Sequence, residues 1–220
     1  VKLNYIKQKN PFAFDTFRKI HELAEHFSDA AQVVEEQTVE VLEENIPIHS
    51  FTFGTPDKTK PTLIFVGGIH GLEYIGTQIV VSRLSSIMSQ MKWDKLFHRQ
   101  LENIRIGFYP CANPSGLIHR TRCNQNGVDL MRNSPIEAQG ISPYALFSGH
   151  RISNKIPWYR GELGAQMEPE NQALESYIRR EAFDSEFAIV IDLHSGFGLK
   201  DSIWFPFAYS QKRFPLMAEV

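Results

Sequence analysis

Three short apolar runs constrain the fold most. Residues 62–66 (Thr-Leu-Ile-Phe-Val), 104–109 (Ile-Arg-Ile-Gly-Phe-Tyr) and 187–193 (Phe-Ala-Ile-Val-Ile-Asp-Leu) are rich in β-branched and aromatic side chains. Continuous runs of this kind suit strands buried on both faces, as in a mainly parallel sheet. Helical patterns lie between them. One runs over 74–91, and another over 168–183 with Pro169 near its first turn. Strands alternating with helices predict an α/β fold: a mixed, mainly parallel twisted sheet with helices on both faces. Each run ends in a polar or glycine-rich segment, namely 67–73, 110–116 and 194–196. Ligands of open α/β sheets bind beyond the carboxyl ends of the strands. The three segments are therefore expected on one edge of the sheet.

The remainder of the chain is read with the same rules. Residues 11–44 are expected to be helical, from Pro11 onward, with Phe17, Ile20, Leu23, Ala24 and Phe27 at helical spacing. Within that stretch, 30–44 is read as a second helix or a loop leading into a strand. Residues 46–53 alternate and predict a strand, followed by a turn at Gly54–Asp57. Residues 1–50 then form an N-terminal segment packing on a domain that covers 51–220.

Composition excludes some partners. The 220 residues carry 23 Lys+Arg against 25 Asp+Glu, a net charge of −2. That balance gives no reason to expect nucleic acid or an anionic membrane as the partner. No apolar run reaches the roughly 18–20 residues of a membrane-spanning helix. The two cysteines, Cys111 and Cys123, are too few for a disulfide framework. Together with an N-terminus that lacks the apolar core of a signal peptide, they point to the cytoplasm.

The first polar segment holds His70 and Glu73, which can share one metal ion if the backbone turns there. The tetrapeptide alone is a weak signal, since about 0.6 such matches are expected by chance in this composition. Its position makes it stronger. Of the eight histidines, only His70 and His194 directly follow a buried-strand pattern. Two histidines and a glutamate form a set that leaves a fourth zinc position open for water or substrate.

Between these residues the chain reads Asn113-Pro114-Ser115-Gly116, then Arg122-Cys123-Asn124, then Gly127-Val128-Asp129-Leu130-Met131-Arg132-Asn133. In this order the sequence resembles the zinc carboxypeptidase family, the carboxypeptidase A/B-like metallopeptidases. The resemblance runs from about Thr62 to Gly198. It implies one Zn²⁺ ion held by His70, Glu73 and His194. It implies Arg122 as the catalytic arginine that stabilises the oxyanion, and Arg132 as the residue that binds the substrate carboxylate. The implied reaction is hydrolysis of an amide next to a free carboxylate, with a peptide or an acyl-amino acid as substrate.

Two departures qualify the match. The family's asparagine before the second arginine is Met131 here, and methionine donates no hydrogen bond. The family's catalytic glutamate lies on a later strand and is expected beyond Val220, so the sheet is expected to lack its last strands. Glu168 and Glu170 read as first-turn helix acids, and Glu219 is too near His194 to match. The alternatives are an amidohydrolase resembling aspartoacylase or succinylglutamate desuccinylase, and a non-catalytic relative that keeps the metal site.

Overall fold

The computed structural model describes residues 4–136, 150–196, 199–200 and 202–203. The N-terminus forms two helices, α1 (Asn4–Lys9) and α2 (Pro11–His26). Asn10 caps α2 by accepting the Ala13 N–H, and Pro11 takes the first turn, where its missing N–H costs nothing.

Residues 32–41 are not helical. They form strand β1 (Gln32–Val41), paired antiparallel with β2 (Glu44–Gly54). Val33, Val34, Thr38, Val39 and Val41 supply the β-branched residues that favour a strand. The interspersed glutamates mask that pattern in the sequence. The hairpin turn is also hidden, because Leu42 and Glu43 take positive φ (55° and 63°) where glycine or asparagine would be expected. One of those glutamates is structural. Glu36 lies at a bulge in β1, where it accepts from Ser50 Oγ and from Arg180 Nη1 at 3.0 Å.

The chain continues through β3 (Thr62–Gly67), α3 (Tyr74–Gln90), α4 (Lys95–Leu101), β4 (Arg105–Tyr109), α5 (Pro114–His119), α6 (Pro169–Ala182) and β5 (Ala188–Leu193). The sheet order is β1-β2-β4-β3-β5. β2 meets β4 antiparallel, whereas β3 pairs parallel with both β4 and β5. The mixed α/β architecture expected from the sequence is present, and its parallel half carries the polar segments.

Both faces of β2 and β4 are covered. On one, Phe27 stands edge-on to Phe53 at 4.8 Å between ring centroids, and Phe53, Phe108 and Phe65 follow in contact. On the other, Tyr177 of α6 packs on Tyr109 and donates to Phe51 O at 3.3 Å. Arg105 and Glu181 form a fully buried ion pair between β4 and α6.

β5 departs from the sequence reading as a buried strand. Phe187, Ile189, Val190 and Ile191 are each more than a third exposed. Among the described residues, β5 has a neighbouring strand on one side only.

Candidate metal centre

The connections fix where the site lies. From β3 the chain crosses to β4 on one side, and then crosses back to β5 on the other. Since all three strands are parallel, the segments after them emerge at one edge, at the point where the strand order reverses.

His70 lies in the turn between β3 and α3. That turn rests directly on α5: a Cβ at Gly71 would fall 1.9 Å from the Gly116 carbonyl carbon, so only glycine fits. Asn113 joins the same parts. Its Oδ1 caps α5 by accepting Gly116 N–H at 2.8 Å, and its Nδ2 donates to Ile69 O at 3.1 Å. Gly76 in the first turn of α3 plays a similar part against β5, since a Cβ there would meet Leu193 O at 2.2 Å. The three strand ends are thus locked to one another by backbone contacts.

Glu73 occupies the N-cap position of α3, yet its carboxylate caps nothing. Oε1 lies 2.8 Å from His70 Nδ1, and Oε2 accepts Ser195 N–H at 2.6 Å. The other ring nitrogen of His70, Nε2, lies 3.1 Å from Asp129 Oδ1. His194 stands beside His70, with ring centroids 4.6 Å apart and planes at 83°. Its Nδ1 faces Asp192 Oδ2 at 3.0 Å, and its Nε2 is buried without a partner. One ligand atom each from His70, Glu73 and His194 lies within 4.8 Å of the other two.

This donor set fits a zinc ion. Two imidazole nitrogens and one carboxylate oxygen are zinc ligands, and ligand atoms around a tetrahedral zinc stand about 3.3 Å apart. The orphaned Nε2 of His194 is the observation that asks for a partner. Among the described residues, no fourth His, Cys, Asp or Glu joins the cluster. Glu219 lies outside the described residues. Glu170 is more than a first-turn acid: it is buried and accepts from Asn124 Nδ2 at 3.2 Å.

Sequence reasoning missed the residue that organises the site. Asp129 is fully buried and collects four donors. His70 Nε2 and Met131 N–H meet its Oδ1, while Arg122 Nε (2.9 Å) and Arg132 Nη1 (2.6 Å) meet its Oδ2. Burial alone would push its pKa up, but the hydrogen bonds from His70 and Arg122 outweigh that and hold it at about 2. The aspartate lies inside the motif, but nothing in the sequence shows that both arginines converge on it. Arg122 also approaches Glu73 Oε1 at 4.0 Å. Each arginine spends one N–H on Asp129, and a guanidinium carries five. For His194, burial lowers the pKa, while the hydrogen bond and charge of Asp192 more than offset it, so the net shift is upward.

The zinc carboxypeptidase family model matches residues 18–218. The chain belongs to the zinc carboxypeptidase family. Among curated relatives, carboxypeptidase SOL1 of Arabidopsis thaliana is 32% identical over 78 residues, which cover 36% of this chain and 16% of that protein. The carboxypeptidase N catalytic chain of Rattus norvegicus is 24% identical over 164 residues, covering 65% of this chain and 33% of that one. The chain thus spans a third or less of these two relatives. Two solved structures share the fold. Carboxypeptidase A from Helicoverpa armigera aligns with a TM-score of 0.60 at 22% identity, over 81% of this chain and 44% of that one. Bovine thrombin-activatable fibrinolysis inhibitor, solved in complex with tick carboxypeptidase inhibitor, aligns with a TM-score of 0.65 at 19% identity, over 98% of this chain and 69% of that one.

Proposed function

We propose that this chain forms the metal-binding part of a zinc metallocarboxypeptidase, which removes C-terminal amino acids from peptides. The observation that carries this reading is the convergence of His70, Glu73 and His194 within 4.8 Å, with Arg122 beside them. One Zn²⁺ held there supplies Lewis acidity and lowers the pKa of a bound water.

The chain's own residues do the rest. Arg122 is the catalytic arginine. Its free N–H groups donate to the oxygen of the scissile carbonyl as negative charge develops on it. Arg132 binds the substrate's terminal carboxylate, for which its planar fork is suited. Asp129 holds both guanidiniums in place and fixes the orientation of His70. Among the described residues, no further glutamate joins the three ligands as a general base. We place the protein in the cytoplasm, on the support of two buried free thiols.

One observation favours a second reading, an N-acyl amino acid amidohydrolase. Met131 packs against the core and offers only its backbone N–H, which goes to Asp129. Arg132 then anchors the carboxylate without help from the residue before it. Hydrolysis of C-terminally blocked and free peptides, set against a panel of acyl-amino acids, tests the choice in the full-length protein. Turnover of free peptides alone supports the carboxypeptidase. Turnover of acyl-amino acids alone supports the amidohydrolase. Zinc binding without turnover of either would overturn both in favour of a non-catalytic relative.

A further inference from the structure

The whole chain carries a net charge of −2, so any attraction to an anionic surface has to be local. One concentration of positive charge lies where α3 gives way to α4. Over residues 91–101, Lys92, Lys95 and Arg99 are all exposed, and Asp94 is the one acid. The Asp94 carboxylate caps α4, accepting the Phe97 N–H at 3.0 Å. His98 also ties the junction, with Nε2 2.9 Å from Met91 O. Phe97 and Leu101 are buried and fix α4 to the core. The same short helix leaves Leu96 67% exposed, and Trp93, just before its cap, is 69% exposed. Two large apolar side chains thus stand in water on a fixed support, among three cations.

We propose that Trp93 and Leu96, flanked by Lys92, Lys95 and Arg99, form an attachment point for an anionic lipid bilayer. Two arguments select a bilayer over a protein partner. The first is area. A stable protein interface takes about 800 Å² from each side, whereas an aromatic side chain buries roughly 150–250 Å². Two exposed apolar side chains fall well short of that. The second is composition. Lysine is depleted at the centres of protein interfaces. Tryptophan beside lysine and arginine suits the water–bilayer boundary, where the apolar groups enter and the cations meet anionic headgroups. The position also fits a working enzyme. Glu73 stands at the N-cap of α3, and the 17 residues of that helix carry the chain about 25 Å away from it. A bilayer held at residues 92–99 therefore leaves the metal edge open to peptides.

The test is cosedimentation of the full-length protein with vesicles of phosphatidylcholine and phosphatidylserine, beside vesicles of phosphatidylcholine alone. The wild type is expected to bind the mixed vesicles, to bind the neutral ones far more weakly, and to be released by salt. Lys92→Gln, Lys95→Gln and Arg99→Gln should each weaken binding about fivefold. Trp93→Ala combined with Leu96→Ala should remove it. All five side chains are exposed, so the variants should keep the circular dichroism and zinc content of the wild type. Sedimentation velocity without lipid supplies the competing outcome. A wild type that ignores the mixed vesicles, or binds the neutral ones equally well, would overturn the proposal. So would wild-type binding by the double alanine variant. A wild-type dimer that the double variant breaks would also overturn it, in favour of a second copy of the chain covering the patch.

Discussion

Asp129→Asn is the substitution that probes the site most deeply, because it removes one charge and keeps the shape. In the fold, Oδ1 accepts from His70 and Met131 N–H, and Oδ2 accepts from Arg122 and Arg132. An asparagine can keep its oxygen toward His70. Its amide group then points two hydrogens at two guanidiniums. The magnitude follows from the carboxyl's pKa, which drops from an ordinary 3.8 to about 2. At roughly 1.4 kcal/mol per pKa unit, ionisation in the fold contributes about 2.5 kcal/mol at neutral pH. Because the folded pKa lies below the unfolded one, this contribution is present above about pH 4 and is lost as pH falls toward 2. Chemical denaturation of metal-free protein across pH 2–7 should therefore show the variant less stable by about 2.5 kcal/mol or more at pH 7. The two curves should converge in acid. Zinc affinity should fall about 10–100-fold, since His70 loses its charged partner. Equal stability at pH 7 and an unchanged acid limb would refute the assignment of Asp129 as the charge that holds the site.

Other substitutions test separate parts of the account. Glu73→Gln should abolish zinc retention under dialysis while leaving the fold intact by circular dichroism, because a glutamine oxygen can still accept Ser195 N–H. Glu181→Ala leaves Arg105 buried and unpaired, so denaturant titration should show a loss of about 3–5 kcal/mol. Burial holds the Glu170 carboxyl above its ordinary pKa, against the opposing pull of Asn124. It therefore favours the fold most below about pH 4.5, and that advantage is lost as pH rises through its raised value. Glu170→Gln should accordingly gain stability relative to the wild type as pH rises over that window, and hold the gain at higher pH. Met131→Asn should improve the kcat/KM of carboxylate-bearing substrates over their amides. Unchanged selectivity would remove the carboxylate role from that position.

The parts of this molecule legible in the sequence were those set by local periodicity and spacing. The apolar run at 62–66 became the central parallel strand, and the Pro11 and Pro169 signals marked true helix starts. His70, Glu73 and His194 meet because parallel strands deliver their carboxyl ends to one edge, which the order of elements already implied. What stayed hidden depends on contacts across the fold. β1 carries glutamates because Arg180 and Ser50 satisfy one of them from other elements, so its pattern read as helix or loop. The β1–β2 turn uses Leu42 and Glu43 in a backbone region that normally signals glycine. β5 looked buried by composition, yet Ile189, Val190 and Ile191 are each more than a third exposed. Asp129 was visible only as one letter of a motif, and its role appears when His70 and both arginines arrive from other loops. The motif asparagines are similar: Asn113 and Asn133 tie backbone segments together rather than face a ligand.

The central claim is that His70, Glu73 and His194 hold one zinc ion. Its most direct test is the zinc content of the full-length protein, measured by elemental analysis after exposure to zinc and exhaustive dialysis, beside the triple variant His70→Ala, Glu73→Ala, His194→Ala. The account predicts about one zinc per wild-type chain, the number a single three-ligand site holds, and none in the variant. A wild type that retains no zinc, or a variant that retains as much as the wild type, would contradict it.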